Sequence, residues 1–151
     1  MLSYLEFLIP LGAIVPLPGL KLGLANIATL AVFVLISKKD AAVVLALRVG
    51  LTGLLFGSAV SFLFSASGAI LSYLSLHLAA RLLKRCSYIG VSVLCAVFHN
   101  LGQILAAACL FGSEIILSYL PVLLIAALIS GGVTGLLLNL SITRLERSIR
   151  L

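Results

Sequence analysis

Charge is nearly absent from long tracts of this chain. From Ala41 to Ala80 the only Lys, Arg, Asp or Glu is Arg48, and from Cys86 to Thr143 the only one is Glu114. Tracts of that length and purity cannot be hidden inside a small water-soluble fold, because small domains leave much of their surface exposed. Here 63% of the 151 residues are hydrophobic and 9% are charged, against about 45–50% and about 25% in ordinary soluble domains. Mean hydropathy is +1.34. The solvent for most side chains is therefore lipid, which excludes a soluble enzyme, a nucleic-acid module and a disordered regulator. A spanning helix needs about 20 residues, so the length allows about six spans in one domain covering residues 1–151.

The spans follow from the breaks. Met1–Ile9 reads as a short or truncated first helix. Pro10 to Lys21 holds three prolines and two glycines and cannot be regular helix. At membrane depth, irregular backbone survives only where protein buries it or where it lines a cavity. Further spans are expected over Leu22–Ile36, Ala41–Phe64, Ala69–Leu83, Ile89–Phe111 and Ile115–Ile142, with a small turn at Ser65–Gly68. The expectation is an all-α, polytopic bundle.

Cations give the orientation. Eight of ten fall in three clusters: Lys38 and Lys39; Arg81, Lys84 and Arg85; Arg144, Arg147 and Arg150. With six spans, these clusters all face one side, and the intervening short loops at Ser65–Gly68 and Gly112–Glu114 carry no Lys or Arg. The positive-inside rule then puts both termini in the cytoplasm of a cell membrane and the Pro/Gly-rich stretch at the outer face. A formal charge of +6 thus marks loops, not a nucleic-acid partner. Cys86, Cys95 and Cys109 have no CxxC spacing, so neither a disulfide frame nor a metal site is expected.

Polar residues inside spans are costly and are kept when paired, wet or functional. Arg48 lies eight residues past Asp40, about 12 Å along a helix. It either snorkels to the headgroups or faces the bundle interior. Glu6 and Lys21 flank the broken stretch, as an ion pair holding it or as a clamp at a binding mouth. Lys21 and Asn26 stand near the start of the second span, where free N–H groups favour an anion. His99 and Gln103 are spaced four apart and share a face, with Asn100 beside them. This trio is either interhelical glue or the wall of a ligand cavity. Gly53 and Gly57, and Gly131 and Gly135, are small-residue pairs for close helix approach, within the bundle or against a partner. Ser58, Ser61 and Ser65 form a hydroxyl stripe that returns bonds to its own helix.

Absences narrow the chemistry. Asp40 is the only aspartate, so an Asp-rich magnesium site for a diphosphate cannot be assembled. There is no phosphate-binding loop of the ATPase type. Neither a catalytic set nor a cofactor site is expected.

The run Glu6…Ile9-Pro10…Pro16-Leu17-Pro18-Gly19-Leu20-Lys21-Leu22-Gly23-Leu24-Ala25-Asn26 resembles the Gx transporter family, also labelled heptaprenyl diphosphate synthase component I, a bacterial family. The likeness continues through Arg48, Gly68, Ser72, His99-Asn100-Leu101-Gly102-Gln103 and Tyr119-Leu120-Pro121. It covers nearly the whole chain. Members usually carry a longer, alanine-rich helix before the position of Glu6. The family is similar to the substrate-binding (S) components of energy-coupling-factor (ECF) transporters. The resemblance implies a six-helix membrane subunit that captures a vitamin-like molecule, beside a transmembrane coupling subunit and ATPases. The expected solute is small and anionic or amphipathic, held by Glu6, Lys21, Asn26, Arg48, His99, Asn100 and Gln103. The synthase label instead implies a non-catalytic membrane accessory in isoprenoid or quinone metabolism, since a prenyl-chain synthase needs paired Asp-rich motifs.

Overall fold

Long apolar runs with periodic small and polar residues should give helices that pair along those residues, and they do. The computed structural model describes residues 26–56, 59–80, 87–112, 118 and 120–149. Five helices form among them: α1 (Asn26–Leu35), α2 (Lys38–Phe56), α3 (Ala59–Ala80), α4 (Tyr88–Phe111) and α5 (Leu120–Ile149). The described residues are all-helical apart from short connections. The expected first helix, Met1–Ile9, and the Pro/Gly-rich stretch lie outside the described residues.

Local chemistry sets the helix ends. Ser37 caps α2: its Oγ accepts the Asp40 N–H at 3.1 Å and donates to Asp40 Oδ2 at 2.6 Å. That places a carboxylate in the first turn, where the helix dipole favours it. Ser87 caps α4 by accepting from the Gly90 N–H at 3.2 Å. Gly112 ends α4 with φ +90, a backbone angle suited to glycine, and its N–H returns to the Ala108 carbonyl at 3.1 Å. Pro121 stands in the first turn of α5, where a missing N–H costs nothing.

One boundary differs from the sequence reading. The span Ala41–Phe64 and the turn Ser65–Gly68 do not exist as such. α2 ends at Phe56, α3 starts at Ala59, and Ser65–Gly68 lies inside α3. The physical reason is that serine and glycine serve membrane helices as packing residues. The Ser67 hydroxyl donates to the carbonyls of Leu63 at 2.9 Å and Phe64 at 3.1 Å, so it stays satisfied within the helix. Lys38, Lys39 and Asp40 likewise open α2 instead of lying in a loop.

α4 is the central element. α3 runs antiparallel along one side: Gly68 faces His99 and Gly102, and Ser75 meets Cys95. α5 runs antiparallel along another: Gly135 faces Ile89, Gly131 faces Val93, and Asn100 reaches Leu123. A side chain on Gly102 would meet Gly68 Cα at 2.7 Å, and one on Gly131 would meet Val93 Cα at 2.6 Å. Backbones touch at these points. The Gly131–Gly135 pair is therefore spent on packing within the bundle and is not a free docking face. Gly53 packs against the ring of Phe62, between α2 and α3.

α1 joins this frame through an aromatic cluster. Phe33 meets Tyr73 and His77 edge-on, at centroid distances of 6.3 and 5.3 Å, and the Tyr73 hydroxyl donates to the Lys38 carbonyl at 2.7 Å. One apolar cluster, including Leu30, Phe33, Ala41, Leu76, Ala79, Val91 and Leu138, fills this end. A second, of Phe64, Ile104, Ala107 and Leu123, fills the other. Of the described cations, Lys38, Lys39 and Arg144 gather at the first end, while Arg48 lies midway along α2.

The bundle is inside-out relative to a soluble protein. Leu54, Ile70, Leu74, Leu78, Leu105, Ile129 and Leu136 are exposed, while Asn26, Ser72, Ser92, His99, Asn100, Gln103 and Thr134 are buried. Three helical segments, Ala59–Ala80, Tyr88–Phe111 and Leu120–Arg144, are long and apolar enough to cross a membrane. Such a surface fits lipid, as expected of a membrane protein.

Candidate binding site

Buried polar groups lie along the inner faces of the helices at spacings of three, four and seven. α1 contributes Asn26 and Thr29, α3 contributes Ser65, Ser72 and Ser75, α4 contributes Ser92, His99 and Gln103, and α5 contributes Ser130 and Thr134. These spacings keep side chains on one helical face, so the pattern builds a polar seam through the bundle.

The upper part of the seam is the trio on α4. The Gln103 amide nitrogen donates to His99 Nε2 at 2.9 Å, and Gln103 is fully buried. Ring carbon Cε1 of His99 lies 2.8 Å from where a Gly68 side chain would start, so only glycine at 68 makes room for the imidazole. Asn100 Nδ2 donates across the helix interface to the Leu123 carbonyl at 2.7 Å. Asn100 is thus interhelical glue, whereas the His99–Gln103 bond stays within α4. Asn100 Oδ1 and Gln103 Oε1 are buried with no hydrogen-bond partner.

Below this lies a cleft among all five helices, lined by residues that include Asn26, Thr29, Leu30, Leu45, Ser72, Leu76, Ser92, Cys95, Ala96 and Thr134. The space open to the centre of a water molecule is about 10 Å³, enough for about one water. Several lining groups are already committed. Cys95 Sγ accepts from the hydroxyl of Ser75, itself outside the lining, at 3.8 Å, and the Thr134 hydroxyl donates to the Ser130 carbonyl at 2.7 Å. Two are not. Asn26 Nδ2 and Thr29 Oγ1 have no hydrogen-bond partner, although the residues are only 7% and 5% exposed. An unpartnered buried polar atom costs about 1–3 kcal/mol, and an acceptor seated in the cleft, a water or a ligand atom, would meet both.

The expected site residues separate accordingly. Asn26 lines the cleft. His99, Asn100 and Gln103 lie further along α4, outside the lining; His99 is one turn beyond Cys95, about 6 Å away at 1.5 Å per residue. Arg48 is half-buried on α2 and also outside the lining, one turn beyond Leu45. Glu6 and Lys21 lie outside the described residues. Thr29, Ser92 and Thr134 were not singled out from sequence, although their spacing to Asn26, His99 and Ser130 carries the signal. Among the described residues no group of three or more His, Cys, Asp or Glu could hold a metal ion.

No curated protein and no solved structure matches the chain. The family model described as heptaprenyl diphosphate synthase component I matches residues 1–141. That match covers most of the chain, which belongs to the heptaprenyl diphosphate synthase component I family.

Proposed function

We propose that this protein is an integral-membrane substrate-binding or transport subunit, of the type found as S components in energy-coupling-factor transporters, for a small amphipathic solute. The observation that carries the reading is the cleft with Asn26 Nδ2 and Thr29 Oγ1 unpartnered on its wall. Apolar surface beside a few convergent polar groups is the usual make-up of a small-molecule site. His99 and Gln103 continue the polar seam above the cleft, and Arg48 stands one turn from its α2 wall. The subunit works in the cell membrane with both termini cytoplasmic, beside a transmembrane coupling subunit and ATPases that supply energy. It performs no catalysis of its own.

Gentle purification from the native membrane, with mass spectrometry of everything that accompanies the protein, tests this. A retained small molecule, or a co-purifying coupling subunit with ATPases, is the expected result. Asn26→Leu and Thr29→Val, which alter the cleft wall, are expected to reduce uptake sharply while the protein still inserts; unchanged uptake in both would sink the assignment.

The family description favours a second reading, a non-catalytic membrane accessory in isoprenoid or quinone metabolism. A co-purifying prenyl-chain or quinone enzyme without a retained solute would select it. The polar seam would then be helix glue.

A further inference from the structure

We infer that the cleft recognises an uncharged solute through a hydrogen-bond acceptor, such as a carbonyl oxygen, and not through an anionic group. This rests on the binding-subunit reading and names the class of solute for that same site. Asn26 Nδ2 belongs to an amide NH₂, which can only donate. Thr29 supplies a hydroxyl that can also donate. Both atoms are buried and unpartnered. The Thr134 hydroxyl on the opposite wall is committed to its own helix. The Tyr73 hydroxyl is held by the Lys38 carbonyl. Of the fully buried polar atoms in the lining, the ones left without a partner are a donor pair waiting for lone pairs, beside the Ser72 and Ser92 hydroxyls.

An anion would also accept these bonds, but the lining opposes it. Its polar members are amide, hydroxyl and thiol groups, and the rest include Leu30, Leu45, Leu76 and Ala96. Among the described residues no Lys, Arg or His lines the cleft. Taking an anion out of water without a cation to meet it costs several kcal/mol even after relaxation. A neutral carbonyl carries no such penalty and needs only the donors present. The one-water space between the walls matches a single acceptor atom, with apolar residues left for the carbon attached to it.

The test uses three ring compounds of similar size: cyclopentanone, cyclopentanecarboxylate and cyclopentylammonium. Binding to the purified protein in maltoside detergent is followed by saturation-transfer NMR. It is compared with Asn26→Leu/Thr29→Val, whose thermal midpoint and gel-filtration profile establish folding. The expected result is binding of the ketone alone, weakened about tenfold in the double variant by loss of the donors. Asn26→Asp, which replaces a donor with a negative acceptor, is expected to reverse the preference toward cyclopentylammonium. A role in packing alone would produce no such reversal. Variant-sensitive binding of the carboxylate without the ketone overturns the neutral class but leaves the binding subunit standing. Signals from all three compounds that ignore every variant overturn the cleft as a site, and the binding reading with it.

Discussion

At the scale of single residues, the distinction between glue and site depends on where each polar atom finds its partner. Asn100 donates across the α4–α5 interface to Leu123. An interhelical bond of this kind contributes about 0.6 kcal/mol on average. Asn100→Ala is therefore expected to lower the thermal midpoint slightly while solute retention persists; loss of retention at an unchanged midpoint would place Asn100 in the site instead. The amide and imidazole residues were legible in the sequence because Asn26, His99, Asn100 and Gln103 stand out in apolar runs. Thr29, Ser92 and Thr134 were not. Small hydroxyls are common in membrane helices and usually bond to a carbonyl one turn back, as Thr134 does here. Only the three-dimensional arrangement separates the Thr29 hydroxyl, which lacks such a bond, from those that have one.

At the scale of helices, α4 is fixed on two sides by backbone contact at glycines. A methyl group on Gly102 would meet the Ser67 carbonyl and the Gly68 backbone, whereas one on Gly132 would meet nothing within 4 Å. Gly102→Ala should destabilise the bundle by about 1–3 kcal/mol, the usual cost of overpacking. Gly132→Ala should be neutral or slightly stabilising through its better helix propensity. Thermal midpoints of the two variants check the contrast, and equal midpoints would contradict the packing described. The expected span ends at Ile36, Ile89 and Phe111 fall close to the observed helix ends, but the caps at Ser37, Ser87 and Gly112 come from the structure. The Ser65–Gly68 boundary was misread because the residues that form turns in water are the ones that let membrane helices approach. Nothing local in the sequence tells these uses apart; the glycine opposite, Gly102, does.

At the scale of the whole molecule, Lys38, Lys39 and Arg144 lie at one end of the bundle and the C-terminal end of α4 lies at the other. If the positive-inside rule governs insertion, that cationic end faces the cytoplasm. Single cysteines at Lys39 and Arg144, in a background without the native thiols, should resist a membrane-impermeant maleimide applied to intact cells. A cysteine at Phe111 should react. Labelling of Lys39→Cys and Arg144→Cys from outside would invert the orientation, and labelling of only one of them would break the antiparallel arrangement. The apolar character of the chain and the orientation of its loops could be argued from charge placement alone. The five-helix packing could not, because which faces meet depends on small residues distributed over four helices.

The glycine contacts also bear on how such a protein could change over generations. Positions 68, 102, 131 and 135 cannot accept a larger side chain without forcing α3, α4 and α5 apart, so that frame is held nearly constant. α1 meets it through side chains, around Phe33, Tyr73 and His77, and contributes Asn26 and Thr29 to the cleft. Substitutions at these two positions leave the backbone contacts untouched. On the binding-subunit reading proposed above, descendants of one bundle can thus acquire different solutes by rewriting a few residues of α1, while the rest of the chain keeps its shape.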